Sequence, residues 1–538
     1  MHSAPFKTFF NASLWGMILT MLLDTAHAAL GAPPSLPTTT DDVAQHEISL
    51  VNHDGSILDQ LNSTLGGIPS KWHNWHDTIV CKPGFLAFPS SIEEVIQLVK
   101  SHACVRVVGL GHSFNDLTCS DDLMMATLQL DRILGLDKSK MTVTTQAGVK
   151  TRNLIDWLAR RGYALPTIPY YIDQSIGGAV ATATHGSSIF WGSLSSLVTE
   201  IKIVLADGSV RTLTEADGDL FAAARCNVGV LGVVVELTFI IVPNKIVRRG
   251  LGYASDAHLL TELKKAEHDS LAFERVHYWY SPPLKLAAVT TVDNLSPVEQ
   301  HEAKAMSSLG REASDWYYRL FADSPLEKPL QRVVLANYLK TPSAKEAATN
   351  IMLGHAMNIL PGTYKLSDAL PVQQVLETDI LLSAFGRYDQ YEYAVALDKA
   401  HDCVKSLFEL FDRNVTNRDD FRVPFCLRFV GPNHEGLLGM SRGGSRFYLN
   451  MDNYDVYNRH GFSQSMQVIK DLMASDTCQA RVHYGKASIY SPVSGAWTKR
   501  DAQYVKDTVG VDIFERFLSA AKTLDPSGKF ADGVLVPK

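Results

Sequence analysis

The chain has 538 residues, a formal net charge of −7 and an apolar fraction of 46%. This length exceeds what one compact core needs and predicts two or more domains of about 100–200 residues each. The mean hydropathy near zero is typical of a folded, soluble protein. The net charge is negative and the sequence has no block of lysines and arginines, so the composition argues against a nucleic-acid partner.

The N-terminus has the pattern of a secretory signal peptide. Lys7 precedes an apolar stretch over 14–23, and Ala26-His27-Ala28 supplies a small-residue cleavage site. The apolar stretch is shorter than the roughly 20 residues that a spanning helix needs. We therefore expect a signal peptide over 1–28, a Pro/Thr-rich leader over 29–71, a secreted or secretory-pathway protein and no stable membrane span after cleavage.

Seven cysteines are spread along the chain without a C-x-x-C pair, which disfavours structural zinc. In an oxidising compartment they predict one or more disulfides with one thiol left over, and several pairings remain open. Asn62, Asn294 and Asn414 each begin an N-x-S/T sequon, as expected of a glycoprotein.

The first ordered region alternates helix and strand signals. Ser91 and Glu94 form the pattern of a capping box, and apolar residues then follow one helical face. Asp207-Gly208 predicts a type I′ hairpin turn. The other predicted elements are strands over 105–110, 124–130, 141–149 and 230–242, a helix over 151–162 and the hairpin over 200–213. Residues 72–245 thus predict one α+β domain.

From residue 246 onward the patterns are longer and looser, and they predict a second domain laid over the first. Helices are expected over Leu259–His268, Pro297–Leu309 and Tyr391–Leu410. A strand is expected over 446–451. A last amphipathic helix, Ile513–Leu524, ends at the turn Asp525-Pro526-Ser527-Gly528.

Three small-residue loops stand out in the first domain: GLGHSF at 109–114, SIGGAVATATHGSS at 175–188 and GVLGVV at 229–234. Small residues let backbone N–H groups approach a pyrophosphate or a planar ring closely. A Rossmann fingerprint would place glycine or alanine where Phe114 stands, so that fold is disfavoured. The three loops together favour a dinucleotide cofactor.

Two other motifs suggest different chemistry. Gly439 to Gly443 satisfies G-x-S-x-G, but a strand rather than a helix is expected to follow, which argues against a serine hydrolase. His73 and His76 have H-x-x-H spacing, yet no third ligand is evident and the flanking tryptophans indicate packing. We predict no metal site.

Cationic residues near the C-terminus are better candidates for a ligand site. Arg428 lies inside the apolar run FCLRFV, where a buried cation needs either a ligand anion or a structural ion pair. Cys426 is two residues earlier and would share its face of a strand. His483 and Lys486 follow in RVHYGK.

In this order, WHNWHDT, RVVGLGHSFNDL, SIGGAVATATHGS, GVLGVV, RVHYGK and LDPSGKF resemble the aldonolactone oxidase group of flavoproteins. That group has the vanillyl-alcohol oxidase (PCMH-type) FAD fold. The resemblance implies an α+β, two-domain protein with a PCMH-type FAD-binding domain over 72–245 and an α+β substrate, or cap, domain over 246–480. Residues 481–538 would complete the flavin site.

The resemblance implies FAD bound covalently at His112, by one bond, because no cysteine lies between Thr151 and Ser188. It also implies a set of cofactor-binding residues: Gly109, Gly111, Ser113, Ser175, Gly177, Gly178, His185, Gly186, Ser187, Val233, His483 and Lys486. Arg428, Lys486 and Cys426 are the implied catalytic residues.

The implied reaction is oxidation of a CH–OH group of a small molecule, such as a sugar lactone or polyol, by hydride transfer to flavin, with O2 as acceptor. Where the family has Glu-x-Arg, this chain reads Cys426-Leu427-Arg428, and a thiol is a weak partner for a substrate hydroxyl. This substitution leaves two alternatives open. One is a flavin-dependent oxidase of a specialised metabolite or oligosaccharide, and the other is a catalytically silent flavin- or carbohydrate-binding protein.

Overall fold

The computed structural model describes residues 71–75, 78–267, 274–306, 345, 349, 361–369, 388–421, 423–432, 436–454, 460–490 and 500–538. The predicted signal peptide and all but the last residue of the predicted leader lie outside these residues. His76, half of the H-x-x-H motif, also lies outside them.

The N-terminal part holds a parallel three-stranded sheet, β3-β5-β4, and an antiparallel five-stranded sheet, β10-β9-β11-β7-β6. Its elements are β1 (Trp72–His73), β2 (Val80–Cys81), β3 (Phe85–Ala87), α1 (Ile92–Ser101), β4 (Val105–Val108), β5 (Leu123–Ala126), β6 (Ile133–Asp137), β7 (Thr142–Gln146), α2 (Thr151–Ala159), β8 (Tyr163–Ala164), α3 (Ile176–Ala181), β9 (Val198–Val204), β10 (Val210–Thr214), α4 (Asp219–Arg225), β11 (Val233–Ile240) and β12 (Val242–Pro243).

Local chemistry explains two of these elements. The Ser91 side chain accepts from the Glu94 backbone N–H, so α1 begins where the capping pattern predicts. The β9–β10 hairpin is confirmed, but its turn is not type I′. Gly208 has φ of +82° and Asp207 does not have positive φ, whereas type I′ needs positive φ at both central residues.

The C-terminal part is built on one antiparallel eight-stranded sheet, in the order β16-β13-β15-β14-β18-β19-β17-β20. Its elements are β13 (Ile246–Ser255), α5 (Asp256–Ala266), β14 (Arg275–Ser281), β15 (Leu286–Asn294), α6 (Pro297–Glu302), β16 (Gly362–Lys365), α7 (Leu366–Ala369), β17 (Tyr388–Ala396), α8 (Leu397–Asp412), β18 (Phe425–Val430), β19 (Arg446–Tyr454), α9 (His460–Ala474), β20 (Arg481–Val482), α10 (Ala502–Val509) and α11 (Val511–Leu524).

The predicted helix Tyr391–Leu410 is wrong in its first six residues. They belong to β17, and α8 begins only at Leu397. The reason is that Tyr391, Tyr393 and Val395 alternate with polar or small residues, which is the period of a strand. The predicted helix from Pro297 also ends early, at Glu302.

Two disulfides are present among the described residues, Cys81–Cys119 and Cys403–Cys478. Cys104, Cys226 and Cys426 are outside these disulfides, so three thiols remain where the sequence predicts one. No helix among the described residues is long and apolar enough to cross a bilayer.

The last residues of the chain complete the core of the N-terminal part. Phe530 is fully buried in a cluster with Val95 and Val105. The Val105 backbone N–H donates to the Lys529 carbonyl, 3.1 Å away, and the Arg106 guanidinium donates to the Phe530 carbonyl. The sheet β3-β5-β4 therefore relies on a segment more than 400 residues later in the chain.

Candidate active site

One large cavity lies between the small-residue loops and the eight-stranded sheet, with about 1830 Å³ of space between protein atoms, its open mouth included. We call its two sides the loop wall and the sheet wall. The loop wall consists of the cavity-lining residues within 107–118, 169–185 and 227–234. The sheet wall consists of Trp279, Gln390, Glu392, Cys426, Arg428, Asn450 and Asp452. The segment 483–486 closes one end.

Close packing explains why the loop wall needs glycine. A Cβ on Gly109 would lie 1.7 Å from Ser175 Oγ, and a Cβ on Gly177 would lie 2.8 Å from that of Ala147. Gly111 has φ of +72°, a left-handed conformation that favours glycine. These positions keep the wall flat and its backbone accessible from the cavity.

Backbone hydrogen bonds join motifs that are far apart in sequence. The Phe114 N–H donates to the Gly485 carbonyl, 2.8 Å away, and the Asn115 side chain donates to the carbonyls of Tyr484 and Lys486. The GLGHSF loop is thereby fixed against RVHYGK.

The second loop is fixed to the sheet in the same way. The Ser188 N–H donates to the Phe429 carbonyl, 2.7 Å away, and the Gly431 N–H donates back to the Ser188 carbonyl at 2.9 Å. Residues that hold the loop thus lie next to the strand that carries Arg428.

His112 lies in an aromatic sandwich at the cavity. Its ring centroid is 4.5 Å from that of Trp75 and 4.7 Å from that of Tyr171. Burial is the main cause that lowers the pKa of His112 to about 3, so the imidazole is neutral at ordinary pH. The backbone carbonyl of Asp173 accepts a hydrogen bond from the ring, while Nδ1 has no hydrogen-bond partner among the described residues. That nitrogen therefore offers a free lone pair.

The polar residues of the sheet wall come from one face of the sheet, at alternate positions on neighbouring strands. Cys426 on β18 pairs with Asn450 on β19, and Asn450 pairs with Glu392 on β17. Arg428 pairs with Tyr448 on one side and with His277 on the other. The strand register therefore brings together side chains from distant parts of the sequence, such as His277 and Asn450.

Glu392 is the centre of a buried charge network. Its carboxylate accepts from the Arg428 guanidinium and lies 3.2 Å from His185 Nε2, and both Glu392 and His185 side chains are 1% exposed. Burial would raise the pKa of Glu392, but Arg428 and the neighbouring histidines outweigh it and hold that pKa well below its usual range. The site therefore contains an ionised carboxylate paired with Arg428, although residue 426 is not acidic.

His185, Glu392 and His483 offer three metal-ligand atoms within 4.8 Å of one another. The donor chemistry disfavours a cation there. The Glu392 carboxylate already accepts from Arg428, and His483 Nδ1 accepts from the Gly485 backbone N–H at 3.0 Å. Nε2 of that neutral imidazole then carries the proton, so it is not free to ligate.

Cys426 lines the cavity, but its sulfur is already in contact with a neighbour, 2.8 Å from His277 Nε2. Burial raises the pKa of the Cys426 thiol to about 12. The thiol therefore stays protonated. It is not an anionic acceptor for a substrate hydroxyl.

Most of the predicted site residues meet in this cavity. Those that line it are Gly109, Gly111, His112, Ser113, Ser175, Gly177, Gly178, His185, Cys426, Arg428, His483 and Lys486. Lys486 Nζ donates to Gln390 Oε1 and lies 5.3 Å from the Phe114 ring centroid.

Three predicted cofactor-binding residues do not line it. Gly186 is tightly packed, because a Cβ there would lie 2.3 Å from the Ile168 carbonyl. Ser187 donates to the Val276 carbonyl and accepts from the Phe429 N–H, so it holds the loop in place. Val233 is fully buried in the core, and its neighbours Gly232 and Val234 line the cavity instead.

Sequence reasoning missed Gln390, Glu392 and Asp452. The signal was available in YDQYEYAVA, whose period of two predicts a strand with Gln390 and Glu392 on one face. The competing G-x-S-x-G motif is not a nucleophile elbow. Its Ser441 is fully buried, the Ser441 hydroxyl lies 2.9 Å from that of Tyr448, and β19 follows the motif instead of a helix.

Residues 83–214 match the FAD binding domain family, and residues 257–536, more than half of the chain, match the D-arabinono-1,4-lactone oxidase family. The chain belongs to the D-arabinono-1,4-lactone oxidase family. It is therefore an FAD-linked oxidoreductase of the group that acts on CH–OH donors, as the sequence resemblance implies.

Two curated relatives support this membership. The chain is 39% identical to an L-gulono-1,4-lactone dehydrogenase of Mycobacterium tuberculosis over 445 residues, which is 82% of this chain and 96% of that protein. It is 32% identical to a putative D-arabinono-1,4-lactone oxidase of Neurospora crassa over 262 residues, 47% of each chain. The chain thus spans about half the length of the Neurospora relative.

Among solved structures, cholesterol oxidase from Brevibacterium sterolicum superposes with a TM-score of 0.66 at 16% identity, over 87% of this chain and 96% of that one. At this identity the likeness concerns the fold alone. It confirms the predicted α+β FAD-binding fold, whereas the predicted domain boundaries stay predictions.

Proposed function

We propose that this family member oxidises a CH–OH group of a sugar lactone or a similar polyol, with FAD bonded to His112 and O2 as the acceptor. The observation that carries the proposal is the position of His112 at the junction of the loop wall and RVHYGK, with Nδ1 unpartnered among the described residues. The lactones in the names of the curated relatives support the substrate class.

The residues present fit FAD. The glycines of the loop wall line the cavity without side chains and leave room for a planar ring and a pyrophosphate. A Cβ at Gly109 or Gly177 would collide with Ser175 or Ala147 and so displace the wall. His112 Nδ1 is the atom that would bond to FAD, because the ring's hydrogen bond to the Asp173 carbonyl leaves that nitrogen without a proton. When bound, FAD supplies hydride acceptance.

The sheet wall would bind and orient the substrate. Oxidation of an alcohol builds negative charge on the substrate oxygen, and fixed cations that line a cavity stabilise such charge. Arg428 of this wall and Lys486 of the segment that closes one end are cations that line the cavity. Glu392 fixes the Arg428 guanidinium, and Gln390 accepts from Lys486, so both cations are held in place before substrate arrives.

One observation favours a second substrate class. Trp279, Cys426 and Tyr170 form a small apolar cluster beside the polar part of the sheet wall. This cluster suits a less polar alcohol, such as a specialised metabolite. The position of His112, Arg428 and Lys486 around one cavity argues instead for a polar substrate and against a catalytically silent binding protein.

We also propose that the protein follows the secretory route and is glycosylated. The two disulfides are typical of an oxidising compartment, and Asn294 and Asn414 are exposed. N-terminal sequencing of the product from a eukaryotic host should place the first residue just after residue 28, and glycosidase treatment should lower its mass. A product that starts at Met1 inside the cell would contradict this proposal.

Purified protein should be yellow, and the colour should stay with the protein after acid precipitation. In His112→Ala the flavin should be released by acid, while Gly444→Ala, which alters a glycine with open space around it, should retain it. A colourless wild type would refute the cofactor assignment.

Peroxide formation and oxygen uptake with a panel of lactones, alditols and apolar alcohols then test the substrate and the acceptor. Turnover of lactones with peroxide release is the expected result. Turnover with dye acceptors only would make the protein a dehydrogenase, and preference for apolar alcohols would favour the second substrate class.

A further inference from the structure

A second polar group lies at the end of the sheet wall nearest Lys486. Gln390 on β17 and Asp452 on β19 are register partners. Lys486 Nζ donates to Gln390 Oε1, and the side-chain amide of Gln390 donates to the Asp452 carboxylate. Because an amide accepts only at oxygen and donates only at nitrogen, Lys486 fixes the direction in which Gln390 faces Asp452.

Asp452 keeps one acceptor open. Its Oδ1 is buried and has no hydrogen-bond partner among the described residues, although the residue lines the cavity. A buried carboxylate oxygen without a donor is costly, and such a group in a cavity is explained when a ligand supplies the donor.

The other carboxylate of the sheet wall and the Cys426 thiol already have partners. Glu392 accepts from Arg428 and is the register partner of Asn450. The Cys426 thiol is protonated, and its sulfur is in contact with His277 Nε2 at 2.8 Å. Asp452 is therefore the carboxylate of the described sheet wall that can receive a new donor.

We propose that Asp452 binds a hydroxyl group of the substrate and makes the site specific for a polyhydroxylated substrate over an analogue that lacks that hydroxyl. The inference rests on the proposed function and deepens it. Asp452 lies on the neighbouring strand β19, and it would supply the carboxylate that the family sequence pattern places at the position of Cys426.

The charged and titratable groups around Asp452 set its pKa, and thereby the pH dependence of substrate binding. Burial raises the pKa of Asp452 to about 6, and Lys486 is the strongest group that opposes the rise. Glu392 on β17 adds to the rise, and Arg428 on β18 opposes it. The carboxylate is the better acceptor, so substrate binding should weaken as pH falls through about 6.

The test compares wild type, Asp452→Asn and Asp452→Ala, with Asp389→Asn as the control. Asp389 precedes Gln390 on β17 and is therefore on the opposite face. The substrates are L-gulono-1,4-lactone and analogues that each lack one hydroxyl. Melting temperature and flavin content of every variant establish that it is folded and loaded.

For wild type, removal of one particular hydroxyl should lower kcat/KM by about 10- to 150-fold, the range for a hydrogen bond to a charged group. Asp452→Ala should lose a similar factor on the complete lactone and should discriminate little against that analogue. Asp452→Asn should lack the fall in kcat/KM below pH 6, and Asp389→Asn should behave like wild type. Unchanged discrimination in Asp452→Ala would overturn the proposal.

Failure of the proposed function gives a different result. If wild type does not oxidise the lactones, their binding can still be followed by the change in flavin absorbance. Weaker binding to Asp452→Ala than to wild type supports the role of Asp452, even without turnover. Equal binding to both proteins, or no binding to either, overturns it.

Discussion

The two walls of the cavity are built in different ways. The loop wall is made of glycines, other small residues and backbone. Its shape depends on the lack of a side chain at the glycine positions. The sheet wall is made of charged and polar side chains at alternate positions on four neighbouring strands. The comparison indicates that the loop wall tolerates little added volume, whereas the sheet wall draws its polar groups from several strands.

The largest effect is expected on the sheet wall. Glu392→Ala would leave the buried Arg428 guanidinium without its anion, and removing one partner of a buried pair costs about 3–5 kcal/mol. Urea unfolding of the purified protein at pH 7 measures the loss, and Glu392→Gln, which keeps an acceptor, should lose less. A change below about 1 kcal/mol in Glu392→Ala would mean that the pair does not stabilise the wall.

The same pair predicts a pH dependence of stability. The pKa of Glu392 is lowered in the folded protein. The stability that this shift contributes is therefore fully present above the unfolded pKa of about 4.3, and it is lost progressively as pH falls from there towards the folded pKa. Between pH 6 and pH 3, wild type should therefore lose more stability than Glu392→Gln. Parallel pH curves for the two proteins would contradict the assignment.

A smaller effect is expected at Gly186, which directly follows the second segment of the loop wall and packs behind it. Gly186→Ala would place a Cβ 2.3 Å from the Ile168 carbonyl, and relief of such overpacking costs about 1–3 kcal/mol. Gly444→Ala is the matched control, because no atom lies within 4 Å of its added Cβ. Equal unfolding free energies for the two variants would show that the loop adapts, and the contrast between the walls would then be weaker.

The smallest effect is expected at Cys426. Cys426→Ala removes the hydrogen bond to His277 and should cost about 1 kcal/mol in stability. Cys426→Ser keeps a donor, and we expect its kcat/KM to fall less than about tenfold, or 1.4 kcal/mol. A changed ranking of substrates in Cys426→Ser would show that Cys426 determines substrate specificity, as the sequence resemblance first indicated.

Sequence reasoning predicts the loop wall better than the sheet wall, for a physical reason. A glycine that is required to avoid a clash is visible in the local sequence. His112 and its glycine neighbours can therefore be recognised from a segment of a few residues. The position of Glu392 depends on pairing between β17 and β19, which no local pattern specifies. An aromatic-rich run such as YDQYEYAVA is compatible with helix or strand until its period is counted.

Single residues, too, are predicted well where local sequence shows them and poorly where tertiary packing decides. The cationic positions Arg428 and Lys486 are visible as charges inside or beside an apolar strand. Gly186 and Ser187 belong to the right loop, but whether each faces the cavity or the Ile168 side depends on tertiary packing. Sequence therefore predicts which segments meet more readily than which atoms face the substrate.

The burial of Phe530 beneath β4 and β5 has a consequence for biosynthesis. A ribosome that has made residues 85–126 has not yet made the aromatic ring that closes their core, and most of the chain must be translated first. We therefore expect the first sheet to gain protease resistance only after residues 529 and 530 have left the ribosome. Fusions that obstruct the C-terminus should lower the yield of soluble protein, whereas protease resistance in nascent chains that end before Lys529 would contradict this order of assembly.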